Sequence, residues 1–202
     1  METQQPYASP LENSLARMPE RRLLSRSAMH QLALAEMRSA LGAISPTFVS
    51  KRALDTAVHM AEEVVRRIGR VAAERARRHH HTTLEMRDVR AALNTLDIDE
   101  SWLEAESRAT DGSPVSIARV GMLARAMHHE FAYSFLDLEK RECAKVRASV
   151  GPSMTNLMNA FVTLLFRFAA RRLAATTLHR TLLGHKDVVR AYKEVLEAAS
   201  AR

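Results

Sequence analysis

The side chains with the most obvious capacity for chemistry are histidines in two short clusters. Three consecutive histidines occupy residues 79–81, and His-His-Glu occupies residues 128–130. Clustered imidazoles can bind transition metals, but the consecutive histidines 79–81 cannot converge on one ion without partners. The cluster at 128–130 has no second ligand set at zinc spacing. The sequence also lacks a glycine-rich phosphate loop, a nucleophile elbow and an acidic metal cluster. We therefore expect no enzyme, no cofactor and no bound metal.

The other chemistry that the sequence offers is positive charge. The 202 residues include 30 Lys and Arg against 23 Asp and Glu, which gives a net charge of +7, and the pI is near 10.2. Only five of the basic residues are lysines, and the planar guanidinium of arginine suits phosphate recognition. A GC-rich genome would also enrich arginine, so the ratio alone does not decide. The positive balance still indicates an anionic partner.

Composition favours helices around a buried core. Apolar residues make up 47% of the chain, with six glycines and six prolines, a mixture that favours helix over sheet. The single cysteine, Cys143, excludes an internal disulfide. No apolar run reaches the roughly 18 to 20 residues that span a bilayer, and the N-terminus lacks the basic-then-apolar pattern of a secretion signal. We expect no membrane association.

Hydrophobic periodicity divides the first half into one long helix between two short ones. The predicted helices cover 28–41, 50–78 and 85–96, after an N-terminal tail at 1–26. The long helix has an apolar stripe at three-four spacing with charge opposite, and Gly42 ends the first helix. Together they form a first unit at 27–97. An acidic, polar segment at 98–114 is the clearest composition shift and predicts a linker.

The second half repeats this order over residues 115–199. Apolar periodicity over 115–138 predicts two helices or one bent helix, and Val-Gly-Pro at 150–152 interrupts the pattern. A long helix is predicted over 153–177 and a last helix over 185–199. The chain therefore consists of two similar helical units joined by the acidic linker.

An internal repeat relates the two units. Shifting the first long stripe (54, 57, 58, 61, 64, 65, 68) by 100 residues reaches Met154, Leu157, Met158, Phe161, Leu164, Leu165 and Phe168. A shift of 99 places Thr82, Leu84, Asp88, Val89 and Ala92 on Thr181, Leu183, Asp187, Val188 and Ala191. Because the breaks also fall at matching places, the repeat is stronger than a likeness between two amphipathic helices.

A long helix between two short ones resembles the layout of the histone fold. Residues 82–89 resemble the family's second loop and the start of its third helix, and residues 180–188 do so more closely. In the family, an Arg of this loop pairs with an Asp seven residues later. Arg180 and Asp187 match this structural clamp, whereas His81 occupies the Arg position in the first half. Two such folds on one chain resemble histone doublets, similar to those that some giant viruses encode.

The resemblance leaves two assignments of histone type open. A helix at 115–128, additional to the second fold, resembles the N-terminal helix of histone 3, which implies a 4-then-3 order. Alternatively, residues 115–125 resemble the first helix of histone 2A, and Ser50–Lys51 resembles histone 2B. Both orders occur in doublets. The spacing from 115 to 154 favours 4-then-3, because it suits two helices.

The resemblance implies an all-α structure in which two tandem histone folds pair head to tail, since one fold alone cannot bury its long helix on both sides. Pairing would place loop 43–50 beside 178–183, and 146–152 beside 78–83, with the N-termini of the long helices directed at phosphate. Residues implied to bind DNA are Arg38, Lys51, Arg52, Arg77, Arg78, Thr82, Arg141, Lys145, Arg147, Arg180 and Thr181. Residues implied in contacts between two such pairs are Leu178, Lys186 and Arg190.

The implied function is sequence-independent binding and compaction of double-stranded DNA into nucleosome-like particles, with other histones or a second doublet. For a viral chain this means packaging of the genome in the host nucleus, a viral factory and the virion; for a cellular chain it means chromatin. The short tail contains no lysine, so we do not expect regulation by tail acetylation. Two alternatives stay open: a histone-fold interaction subunit of a transcription or chromatin complex, and an unrelated helical bundle.

Overall fold

The computed structural model describes residues 23–42, 47–108, 120–176 and 181–200 of the chain. The predicted tail up to residue 22, residues 109–114 of the predicted linker and residues 115–119 of the predicted second unit lie outside the described residues. The described chain is almost entirely helical, with four two-residue strands, as the all-α prediction requires. The predicted fold class is confirmed.

In chain order, the first half has a short helix α1, a long helix α2, a short helix α3 and a further helix α4. Its elements are α1 Arg26–Leu41, β1 Phe48–Val49, α2 Lys51–Arg78, β2 Thr83–Leu84, α3 Met86–Thr95 and α4 Glu100–Arg108. Its first three helices match the predicted ones to within two residues at each end. The second half consists of α5 Val120–Tyr133, α6 Leu138–Cys143, β3 Lys145–Val146, α7 Val150–Ala174, β4 Leu182–Leu183 and α8 His185–Ser200.

Local capping explains where α1 and α2 begin and end. The side chains of Ser25 and Ser50 accept hydrogen bonds from the N–H groups of Ala28 and Ala53, which caps both helix starts. Gly42 follows α1 with φ +88°, a conformation that L side chains rarely adopt, as the sequence predicted. At the end of α2 the chain reverses at His80, which has φ +56°.

Helix α7 begins three residues earlier than predicted. Val-Gly-Pro at 150–152 was expected to break the chain before the helix, but these residues form its first turn. Proline is tolerated there because the N–H groups of a first turn have no partner within the helix. The correction lengthens the buried surface of α7, since Val150 and Gly151 are both buried.

Helix α5 is the counterpart of α1. Each packs on the long helix of the opposite half: α1 on α7, and α5 on α2. The close approach of α5 depends on Gly69, where an added Cβ would lie 3.1 Å from Glu130 Cγ. Residues 120–128 therefore belong to the first helix of the second unit and not to an additional one before it. The spacing from 115 to 154 therefore no longer favours the 4-then-3 order, and both orders stay open.

Helix α4 occupies part of the segment that composition predicted as a linker. The carboxylate of Asp99 accepts a hydrogen bond from Trp102 N–H at its start (3.0 Å), and Leu103 is buried as α4 packs on α7. The acidic residues of this segment thus flank a packed helix. The division into two domains at this segment remains a prediction.

The core is built on α2 and α7, which contact each other directly. Helix α2 buries one stripe, as its sequence predicted, whereas α7 is buried on most of its surface because α1, α4, α5 and α8 all pack on it. Helix α8 also packs on α2. Its Tyr192 ring meets Phe161 edge-on, with 6.0 Å between centroids, and burial raises the pKa of Tyr192.

A buried arginine ties three of these helices together. Arg167 in α7 is 2% exposed, and its Nε and Nη2 donate to the two carboxylate oxygens of Glu36 in α1, at 3.2 and 3.3 Å. The same guanidinium donates to the backbone carbonyls of Glu106 and of Ser107 (3.1 Å for Ser107) at the end of α4. The residue 100 positions earlier, Arg67, is exposed. The two halves therefore differ at the centre of their long helices.

We predict that Arg167→Ala lowers the free energy of unfolding by about 3 to 5 kcal/mol, because it leaves the Glu36 carboxylate buried without its cation. Arg67→Ala removes the same side chain from the equivalent exposed position and should change stability by less than about 0.5 kcal/mol. Urea denaturation followed by circular dichroism measures both. Equal losses for the two variants would contradict a special role for the Arg167 network.

Candidate nucleic-acid interface

Two short parallel strand pairs join the halves at opposite ends of the long helices. Strand β1 pairs with β4, with Phe48 opposite Leu182, and β2 pairs with β3, with Thr83 opposite Lys145. We refer to residues 47–52 with 181–184 as the β1–β4 end, and to residues 77–85 with 144–150 as the β2–β3 end. These contacts are those of the predicted head-to-tail pairing, in which the first loop of each half lies beside the second loop of the other.

The backbone hydrogen bonds at the two ends are equivalent. Phe48 N–H donates to Thr181 O (2.9 Å) and Ser50 N–H to Leu183 O (3.0 Å). At the other end, Lys145 N–H donates to Thr82 O (2.9 Å) and Arg147 N–H to Leu84 O (3.0 Å). The pairing therefore fixes the position of each long helix's N-terminus relative to the facing loop.

Each end presents the N-terminus of one long helix, without acidic residues in its first turn. Helix α2 begins at the β1–β4 end and α7 at the β2–β3 end, and neither first turn contains Asp or Glu. The partial positive charge of a helix N-terminus favours an anion. Ser149 makes no side-chain cap at α7, in contrast to Ser50 at α2.

The β2–β3 end brings together most of the basic residues predicted for it. The basic residues Arg77, Arg78, Lys145 and Arg147 are all exposed there, and so is the predicted site residue Thr82. Thr82 and Lys145 are also joined through the backbone, as described above. Arg78 forms an ion pair with Glu74 one turn earlier in α2.

A carboxylate lies among these cations. Glu85 forms ion pairs with Arg87 (Nε to Oε2, 3.2 Å) and with Arg147 (Nε to Oε1, 3.8 Å). Arg87 Nη2 also lies 3.3 Å from both ring nitrogens of His81. Arg87 was not among the residues that the sequence analysis selected, although its place one residue before Asp88 in the loop motif was a usable signal.

At the β1–β4 end the cations are Lys51 and Arg52, both exposed, beside the half-buried Thr181. Arg26 approaches from α1: its Nη2 lies 3.3 Å from the Asp55 carboxylate and 3.5 Å from Lys51 O. The strand residues differ from those of the other end, because the outward-facing pair here is Phe48 and Leu182, which are 58% and 49% exposed. The sequence did not predict this apolar pair. Phe48 lies three residues before Lys51, which was selected for its charge, and Leu182 lies within the loop motif that was selected for its Arg and Asp.

Two predicted DNA-binding residues lie away from the strand pairs. Arg141 is half-buried in α6: its Nη2 donates to Phe135 O at 3.0 Å, and its guanidinium carbon lies 5.0 Å from the centre of the Tyr133 ring. The structure thus gives Arg141 a role in holding the turn between α5 and α6. Arg38 is exposed in the last turn of α1.

The third helices of both halves begin with a buried aspartate. Asp88 accepts a hydrogen bond from Glu85 N–H (3.0 Å), and Asp187 accepts one from Gly184 N–H (2.9 Å). These bonds fix the loop that precedes each helix. Arg180, the predicted clamp partner of Asp187, lies outside the described residues.

The surface predicted to join two pairs is described in part. Lys186 and Arg190 are exposed on α8, whereas Leu178 lies outside the described residues. In the described ranges no three His, Cys, Asp or Glu side chains are placed to hold a metal ion. Across the same ranges, no helix has the length and hydropathy to cross a bilayer.

Comparison with known proteins identifies the fold. No protein-family profile matches the sequence, and no curated protein matches it. Among solved structures, the crystal structure of the histone from Methanopyrus kandleri is similar, with a TM-score of 0.54 at 14% sequence identity. The similarity covers 89% of this chain and 99% of that chain, so it spans both halves. The chain therefore has the histone fold, in two tandem copies that pair with each other.

We predict that Glu85→Gln raises affinity for double-stranded DNA several-fold, because it releases Arg87 and Arg147 from a competing carboxylate. Gln keeps an oxygen that can accept the capping hydrogen bond at the start of α3. Glu63→Gln is the matched control, since it changes the net charge equally at the middle of α2, where Glu63 pairs with Arg70. Fluorescence anisotropy titration compares the two, and equal affinities would argue against a DNA contact at the β2–β3 end.

Proposed function

We propose that this chain binds double-stranded DNA without sequence preference and compacts it, with both strand-pair ends contacting one duplex. The observation that carries the proposal is the presence of two ends with the same backbone pairing, each with a cation-flanked helix N-terminus whose first turn contains no acidic residue. Helix N-termini and arginine or lysine side chains recognise the phosphate backbone, which carries no sequence information by itself.

The spacing of the ends supports contact with a single duplex. Helix α2 has 28 residues and runs from the β1–β4 end to the β2–β3 end. At 1.5 Å per residue it is about 40 Å long. One turn of B-DNA is about 34 to 36 Å, so a duplex that lies along the surface presents phosphates to the two ends about one helical turn apart.

Compaction requires that successive molecules continue the path of the DNA. We propose that a second copy or another histone pair meets this chain through α8, where Lys186 and Arg190 are exposed, and that nucleosome-like particles result. The tandem arrangement and the resemblance to doublets of giant viruses support packaging of a viral genome as the biological setting, in the host nucleus, the viral factory and the virion. In a cellular setting the same activity belongs to chromatin.

The salt dependence of binding tests the proposed interface. We predict that Lys51→Ala/Arg52→Ala/Lys145→Ala makes the negative slope of log K against log salt shallower by about 3. The reason is that each lost phosphate contact removes about 0.9 from its magnitude. Arg66→Ala/Arg67→Ala/Arg70→Ala removes the same charge from exposed positions on α2 between the ends. This control should leave the slope nearly unchanged. A wild-type chain that does not bind DNA at low salt would overturn the proposal and favour the interaction-subunit alternative.

Compaction is tested by nuclease protection. Micrococcal nuclease digestion of the reconstituted complex should leave DNA fragments of discrete length, because a wrapped path shields a fixed number of turns. A continuous smear of fragments, at protein concentrations that saturate the DNA, would limit the proposal to binding without defined particles.

A further inference from the structure

The outward-facing residues of the two strand pairs differ in kind. In each pair, side chains alternate between the two faces, and Leu183 and Leu84 are fully buried. Their neighbours therefore face outward: Phe48 and Leu182 at the β1–β4 end, and Lys145 and Thr83 at the β2–β3 end. The pseudo-symmetry matches Phe48 with Lys145 and Leu182 with Thr83. One end thus has an apolar pair where the other has a cation and a hydroxyl.

Two exposed apolar side chains lie opposite each other at the β1–β4 end. Phe48 is 58% exposed and Leu182 is 49% exposed, and they are opposite each other in the strand register, so they form one patch. The strand pairing itself does not require apolar residues there, because the equivalent pair forms with Lys145 and Thr83 at the same positions. The patch therefore points to a ligand with an apolar surface.

The surroundings of the patch indicate which ligand this is. Exposed Lys51 and Arg52 begin the helix that follows Phe48, and Arg26 lies beside Lys51. A ligand that covers the patch must therefore be apolar at its centre and anionic at its edges. The minor groove of DNA has this character, since its walls are deoxyribose rings and its rims are phosphates, and Phe and Leu are among the side chains that enter it.

The size of the patch argues against a protein partner. The two side chains together expose roughly 200 Å², whereas a stable protein interface buries about 800 Å² on each partner. A second copy docked on this pair alone would not be held. The same two side chains are enough for a minor-groove contact, which needs one or two apolar side chains at a base step.

We propose that Phe48 and Leu182 form an apolar contact with the deoxyribose walls of the minor groove, so that the β1–β4 end binds DNA partly through a salt-insensitive interaction. The β2–β3 end binds through charge. This inference rests on the proposed DNA binding and adds to it that the two ends are chemically unequal. Apolar contacts release no counterions, so they contribute to affinity without adding to the salt slope.

The test separates the salt slope from the affinity that remains at high salt. Titrations of mixed-sequence duplex DNA over a range of NaCl concentrations give both, as a line of log K against log salt. Phe48→Ala/Leu182→Ala should keep the wild-type slope and weaken binding extrapolated to 1 M salt by roughly ten- to a hundredfold. The matched control Thr83→Ala/Lys145→Ala should make the slope shallower by about one. It should change the affinity extrapolated to 1 M salt much less than the variant of the apolar pair does.

An exchange variant makes the ends alike. Phe48→Lys/Leu182→Thr gives the β1–β4 end the side chains of the other end, and it should steepen the slope by about one while losing the high-salt affinity. All four positions are exposed or half-exposed, so we expect unchanged thermal unfolding, which circular dichroism checks.

Three results would overturn the inference. If the wild-type chain does not bind DNA at low salt, the proposed function fails and the inference fails with it. If the wild type binds DNA but Phe48→Ala/Leu182→Ala gives the same plot of log K against log salt, the inference fails and the proposed function stands. If light scattering shows that the free wild-type chain is a larger oligomer that the alanine variant dissociates, the pair holds a second copy, and the DNA contact is wrong.

Discussion

The structure depends on the exchange of first helices between the two halves. Helix α1 packs on α7 and α5 packs on α2, so neither long helix is covered by its own half alone. Apolar burial is the main favourable term in folding, and the part of it that lies between α1 and α7 and between α5 and α2 forms only once the halves have combined. The parallel strand pairs follow from the same exchange, because it brings each first loop to the opposite second loop. The two basic ends are therefore products of the pairing and not of either half.

Within this pseudo-symmetric frame the two long helices have different surroundings. Helix α7 contacts five helices, α1, α2, α4, α5 and α8, and holds Arg167 at its centre, bonded to Glu36 and to the end of α4. At the equivalent place on α2, Arg67 is in solvent and α5 approaches over Gly69 instead. A buried ion pair adds little net stability over an apolar core, but a mispaired one is strongly unfavourable. The hydrogen bonds of Arg167 are satisfied only where α1, α4 and α7 meet, and among the described residues the first half has no equivalent network at Arg67.

Much of this fold is predictable from sequence, because hydrophobic periodicity is a local signal. The stripe of α2, the stop at Gly42 and the 99- to 100-residue repeat each depend on nearby residues, and they give the long and third helices and the order of elements. The start of α7 was misplaced because Pro152 reads as a break, although it is tolerated in a first turn. Helix α4 was not predicted because its acidic composition is typical of a linker, and Leu103 is its one fully buried side chain. The Arg167 network and the apolar pair have no local signature, since their members are far apart along the chain: Arg167 lies 131 residues from Glu36 and 60 residues from Ser107.

The distance along the chain between packing partners also bears on how the protein is made. Glu36 is synthesised 131 residues before Arg167. At about 5 to 20 residues per second, α1 waits roughly 7 to 26 s on the ribosome for the helix on which it packs. During this interval the part of α2 that α7 and α8 cover is open to aggregation or to chaperones. A newly made chain therefore gains its stable core late in translation, and long-range contacts of this kind also slow folding in solution. Premature termination anywhere before α7 would release a product with no closed core, a natural substrate for proteolysis.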